Sequence, residues 1–149
     1  MKKLFLIPLM TLLCSVMAFA DNVAKIGETE YATLKAAVDA AQNGDEILLL
    51  DDYDFGTVDY TKIINIKKSV TLNGQGHTLT GACQRQSGNS NYATIWVNLN
   101  GSNLIDVTFK NITIVNSKQD NGYYNKGIET RGRLGDVVLD NVTITSVGA

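Results

Sequence analysis

Phe109-Lys110-Asn111-Ile112-Thr113-Ile114 returns thirty residues later as Leu139-Asp140-Asn141-Val142-Thr143-Ile144. Each copy has an apolar residue, a short polar bend and an apolar-Thr-apolar triplet. A weaker copy, Ile66-Lys67-Lys68-Ser69-Val70-Thr71-Leu72, carries one extra residue and no asparagine. A repeat of this length lies in the range of solenoid coils, in which each coil contacts only its neighbours. The β-branched residues suit parallel strands stacked so that one position of successive coils forms a column of like side chains. Asn111 and Asn141 fall at the same bend and should form a ladder, turned inward to bond backbone groups that the bend leaves unpaired. Such burial argues against reading Asn111-Ile-Thr and Asn141-Val-Thr as glycosylation acceptors.

Outward from this repeat, nearly everything reads as short strands broken by Gly, Asn and Asp. Strands are predicted over 46–50, 62–66, 70–72, 77–80, 93–99, 104–109, 112–115, 127–131, 137–139 and 142–145. The exception is 33–44, where Leu34, Ala37, Val38 and Ala41 recur at helical spacing. Thr33 is its expected N-cap and Asn43-Gly44 its expected stop. The predicted class is all-β with a short N-terminal helix.

These stretches resemble the right-handed parallel β-helix proteins of the pectin lyase-like superfamily. The resemblance rests on Tyr31-Ala-Thr-Leu-Lys-Ala-Ala-Val-Asp-Ala-Ala, then Gly44-Asp45-Glu46-Ile47-Leu48-Leu49-Leu50, then Lys68-Ser-Val-Thr-Leu-Asn-Gly-Gln-Gly-His-Thr-Leu-Thr-Gly81. The Asn111 and Asn141 blocks complete it, so it covers nearly all of 23–147. It implies a solenoid whose open end is capped by the first helix and whose bend carries an asparagine ladder. Three or four coils at ~4.8 Å spacing would stack to only ~15–20 Å. The sequence stops at Ala149 directly after a coil strand, so the expectation is the N-terminal portion of a longer protein, because solenoids need terminal caps.

Met1-Lys2-Lys3, an apolar stretch to Val16 and Ala18-Phe19-Ala20 read as a signal peptide over residues 1–20. The β-helix domain is then 21–149, and the destination is secreted, periplasmic or cell-surface. That segment carries 11 basic and 15 acidic side chains, a net charge of −4 with His77 neutral. The mild acidity argues against a nucleic-acid partner, which would require a basic patch. Cys83 is the one cysteine of this segment, so neither an internal disulfide nor a cysteine-based zinc site is available.

Alternation over 93–99 places Ala93, Ile95, Val97 and Leu99 inward and Trp96 outward. The same reasoning turns Glu129 and Arg131 outward on the next coil, with Tyr92, Tyr123 and Tyr124 on flanking loops. An indole beside charged hydrogen-bonding groups suits a sugar ring. The competing expectation is that the segment 81–91 folds over Trp96 and buries it. Asp51, Asp52, Asp54 and Asp59 offer oxygen ligands for calcium, but they lie near the first coil, whereas Arg131 and Arg133 lie near the last. The arginine-x-proline motif of the resembling lyases cannot occur in a segment without proline. A hydrolytic pair such as Glu129 with Asp106 or Asp136 is not singled out over any other, and His77 sits at a turn entering a strand.

The functional expectation is an exported or surface β-helix domain that binds or presents itself to polysaccharide or another surface glycan. No catalytic residue is assigned and no cofactor is required, calcium being the one candidate. Two alternatives stand beside it. One is the N-terminal fragment of a polysaccharide lyase or glycoside hydrolase. The other is a structural stalk or adhesin module that self-associates through an uncapped C-terminal coil.

Overall fold

The computed structural model describes residues 21–88, 90–118 and 125–146. The expected signal peptide lies outside the described residues, as do Tyr123 and Tyr124. Among the described residues the fold is all-β with one short helix. A hairpin of β1 (Ala24–Ile26) and β2 (Thr29–Tyr31) comes first, then helix α1 (Leu34–Ala40). Strands β3 (Glu46–Leu49) and β4 (Tyr53–Val58) follow, then a 3-10 turn at Tyr60–Lys62. Strands β5 (Asn65–Ile66), β6 (Val70–Asn73), β7 (Thr78–Gln84) and β8 (Tyr92–Val97) make up the middle of the chain. Strands β9 (Ile105–Asn116), β10 (Asn125–Thr130) and β11 (Leu134–Ser146) complete it.

Parallel pairing arranges most of these strands in three ranks. One rank runs β3, β6, then the first halves of β9 and β11. A second runs β4, β7, then the second halves of β9 and β11. The third runs β5, β8, β10. Antiparallel pairs are added where β1 meets β2 and β3, and where Cys83 and Gln84 of β7 meet Ala93 and Tyr92 of β8, so the sheet is mixed.

Registered pairing makes the core a set of columns. Ile47, Leu72, Phe109 and Leu139 are successive neighbours in one, and Leu79, Ile114 and Ile144 in another. Side chains within each column are wholly buried until the last, where Leu139 is 53% and Ile144 44% exposed. The thirty-residue offset is therefore the true spacing between β9 and β11.

The weaker repeat copy is misaligned. Val70-Thr71-Leu72 registers with Val107-Thr108-Phe109, ahead of the bend, not with Ile112-Thr113-Ile114 after it. In this layer the bend is Gly74-Gln75-Gly76, where Gly74 N–H bonds Lys110 O and Gly76 N–H bonds Asn111 O. A Cβ on Gly74 would lie 2.5 Å from the Ile112 Cβ, so glycine here follows from close approach.

The helix is shorter than its pattern. Thr33 caps it, accepting from Ala36 N–H at 3.1 Å, but the chain leaves the helix at Ala41. There the Asp45 carboxylate takes the Gln42 N–H at 2.7 Å, drawing the chain into a turn before Gly44 is reached. The N-terminal hairpin and β4 lack a clear alternating pattern, and the sequence reading missed both.

Within the first rank, Glu46 Oε1 accepts from Lys110 Nζ at 2.7 Å and from Asn73 Nδ2 at 3.0 Å. The Lys110 hydrogen bond, aided by Asn73, holds the Glu46 carboxyl below its ordinary value of 4.5. A depressed folded-state value stabilises above the unfolded value and fades as pH falls through the folded one. Glu46→Gln should therefore lower the urea midpoint at neutral pH, and this deficit should shrink as the pH is taken well below 4.5.

The column geometry predicts unequal costs for truncation within one column. Phe109→Ala should cost about 3–5 kcal/mol in urea unfolding, as for a buried aromatic. Leu139→Ala, on the exposed end of that column, should cost under about 1 kcal/mol.

Candidate functional site

Trp96 does not face outward. Its side chain is wholly buried and its Nε1–H bonds Cys83 O at 3.2 Å. The end of β7 lies against this face of β8, and beyond it Cys83 and Gln84 pair antiparallel with Ala93 and Tyr92. Thr94 is buried on that face as well, donating to Gly81 O at 2.8 Å. An indole enclosed this way offers no face to a sugar, and the expectation for Trp96 is corrected accordingly. Beneath it lies Cys83, whose thiol is pushed up to about 11 by burial and so stays protonated near neutrality.

Glu129 registers beside Trp96 on β10. Its side chain is only 13% exposed and lies between two cations, with Arg131 Nε at 2.9 Å and Lys126 Nζ at 2.5 Å. Asp106 Oδ1 accepts the Asp136 N–H at 2.8 Å. Glu129 is thus in an ion-paired cluster on the third rank, while Asp106 and Asp136 sit together on the first. Tyr92 is half-buried, and Lys118 Nζ lies 4.9 Å from its ring centroid, a cation–π distance.

Of the aspartates read as calcium candidates, Asp51 and Asp52 come together, joined by His77 rather than Asp54. One ligand atom from each of Asp51, Asp52 and His77 lies within 4.8 Å of the others. These are the residues that could hold a cation. Asp52 Oδ1 already accepts Thr78 N–H at 2.7 Å, with His77 Nδ1 at 3.5 Å, and Asp51 Oδ1 accepts Asp52 N–H at 2.7 Å. Asp54 closes a local turn instead, accepting Gly56 N–H at 2.8 Å.

The expected asparagine pair is joined amide to amide: Asn141 Nδ2 donates to Asn111 Oδ1 at 3.0 Å, with Asn111 partly buried and Asn141 exposed on the last described layer. Both residues have positive φ, 50° and 53°, a conformation that asparagine tolerates better than most side chains. The buried backbone-bonding role falls to other asparagines. Asn98 Nδ2 reaches Asn103 O and Arg133 O, Asn116 Nδ2 reaches Lys126 O, and Asn65 bonds both the N–H and the carbonyl of Leu99. Since the acceptor motif was set aside because of burial, that ground does not hold for Asn141.

A groove of about 310 Å³ opens beside Asn65, a site the sequence reading missed. Tyr60, Lys67, Arg85, Gln86 and Asn100 line it, over a floor that includes Ile63 and Leu99. Tyr60 is 47% exposed and rides on the 3-10 turn, whose cap is Asp59, accepting Thr61 N–H at 2.8 Å. A smaller apolar groove of about 250 Å³ lies between α1 and β4, with Tyr53, Phe55, Val58 and Ile64 flanked by Lys35 and Lys62. The exposed aromatic and the polar groups around it come from separate connections that converge where β5 pairs with β8. The signal for Tyr60 in the sequence was the Asp59-x-Thr61 cap, which fixes a turn rather than a strand.

With this geometry in hand, the class is clear: an all-β, pectate lyase-like domain. Residues 28–148 match the family described as "Putative pectate lyase-like adhesive domain", and the chain belongs to that family. No curated protein and no solved structure matches the chain. Among the described residues, no helix is long and apolar enough to cross a membrane.

Trp96 is the one tryptophan of the chain, which makes its burial simple to test. Native fluorescence should be blue-shifted and poorly quenched by acrylamide, becoming red-shifted and quenchable in urea. A native spectrum typical of a wet indole would refute the packing described.

Proposed function

We propose that this chain is an exported surface adhesion module that binds polysaccharide through the Tyr60 groove, without chemistry of its own and without a cofactor. The observation that carries the reading is the groove itself. It holds a half-exposed aromatic ring beside Lys67, Arg85, Gln86 and Asn100. A sugar presents apolar C–H faces and a polar rim, which this combination of ring and hydrogen-bonding groups suits. Membership of an adhesive-domain family supports the adhesive half of the reading, and the N-terminal leader pattern supports export.

The same reading takes the fold to be a short right-handed parallel β-helix. Three parallel ranks and the columns that run through them support it. The Glu129, Arg131 and Lys126 cluster would then be a charged flank that helps shape the surface, not a stacking platform.

Binding on a panel of bacterial, plant and host polysaccharides tests the proposal. Tyr60→Ala should weaken binding by about tenfold or more, the loss expected when one well-placed aromatic contact is removed. Lys67→Ala should weaken it less, and Trp96→Phe should leave affinity unchanged. Absence of binding to every glycan, or full binding by Tyr60→Ala, defeats the reading.

A further inference from the structure

The Tyr60 groove is one-sided in its charge. Lys67 follows β5 and Arg85 follows β7, and both line the groove. Neither makes an ion pair among the described residues, whereas Lys35, Lys110, Lys126 and Arg131 are each held by a carboxylate. No carboxylate is among the described residues that line the groove. Asp59, the acid next to Tyr60 in the sequence, is turned to the N–H and hydroxyl of Thr61. In a segment of net charge −4, two cations without counter-ions therefore share one groove with an exposed aromatic ring.

Its hydrogen bonding is one-sided as well. Ammonium and guanidinium groups donate and cannot accept. Asn65, on the floor, has both ends of its amide taken up by Leu99. The side-chain acceptors left to a ligand are Gln86, Asn100 and the Tyr60 hydroxyl. The hydroxyl rim of a neutral sugar offers donors and acceptors together, and its donors find little here. A carboxylate, sulfate or phosphate offers acceptors alone, which is what a donor-rich groove lacks.

We infer that the groove selects anionic glycans, whose carboxylate, sulfate or phosphate groups are held directly by Arg85 and Lys67 with no bridging metal ion. The inference rests on the glycan reading above and adds the charge of the sugar to it. Arg85 is half-buried and carries a planar fork that matches two oxygens of one anion. Lys67 is exposed and acts as a point charge. Arg85 therefore carries more of the preference for anions than Lys67, while Tyr60 meets the apolar face of the sugar.

Titration calorimetry tests it, with the polysaccharide panel divided into charged and neutral members. Alginate and two matched pairs are added: dextran with dextran sulfate, and mannan with phosphomannan. The best anionic ligand should bind about tenfold or more tighter than any neutral one, in EDTA as in calcium. Which of the three anions it carries identifies the group recognised. Affinity should fall with added salt, since exposed charges are screened over ~10 Å at 0.1 M. Arg85→Gln should weaken binding about tenfold and Lys67→Gln about threefold, with Arg85→Lys between wild type and Arg85→Gln. Lys110→Gln, on the first rank, should change nothing. Circular dichroism checks the fold of each variant; should Arg85→Gln fail to fold, Lys67→Glu decides, with a loss of about tenfold or more. Neutral glycans bound as tightly as anionic ones, and weakened by Tyr60→Ala, overturn this inference and leave the glycan reading standing. Binding that needs calcium, or that survives both Arg85→Gln and Lys67→Glu, also overturns it alone. Absence of binding to the whole panel defeats both.

Discussion

Register between parallel neighbours is the constraint on which the rest of this structure depends. Because side chains alternate sides along a strand, a slip of one residue would turn every inward side chain out. Here the register is fixed at the bends rather than by strand length. Gln75, Asn111 and Asn141 all have positive φ, and two of the three are asparagines stacked amide to amide. A bend that few residues can adopt comfortably cannot drift along the chain. The apolar residues on either side are then delivered to the same columns in each layer, and Phe109 lands on Leu72 rather than beside it.

Close approach between layers adds a second lock. Besides Gly74, Gly127 has no room for a side chain, since a Cβ there would lie 2.3 Å from Ile144 Cγ2. Buried polar groups at the layer edges are paired with main chain, which is the condition for burying them at acceptable cost. Asn98 and Asn116 each hold a neighbouring segment by its carbonyls, and Asn65 ties the groove floor to Leu99 at both its N–H and its C=O. These asparagines act as cross-layer staples, whereas Asn111 and Asn141 chiefly supply a backbone shape.

What the sequence made legible follows from that division. The class, the helix, most strands and the thirty-residue spacing were readable because periodicity and β-branching are local signals. Trp96 was misplaced because alternation tells which residues share a face, not whether that face is covered. The end of β7 lies against it, a long-range contact with no pattern of its own. The two asparagines were legible at their bend because positive φ there selects that residue type. The groove was invisible for a related reason. Tyr60, Lys67, Arg85 and Asn100 come from four separate connections, and they gather where β5 pairs with β8.

That gathering also bears on how such a surface would work. A sugar contact gains little enthalpy per group and is readily cancelled if side chains or loops must first be ordered. Tyr60 avoids much of this cost, because the turn carrying it is already closed by Asp59, which accepts from both the N–H and the hydroxyl of Thr61. Those bonds also hold the Asp59 carboxyl below its ordinary value, so the cap stays charged and intact down to acidic pH. Asn65 fixes the floor from the adjacent strand in the same way. On the proposed function, a groove built on a capped turn and a doubly bonded asparagine would need little ordering before a sugar could settle in it.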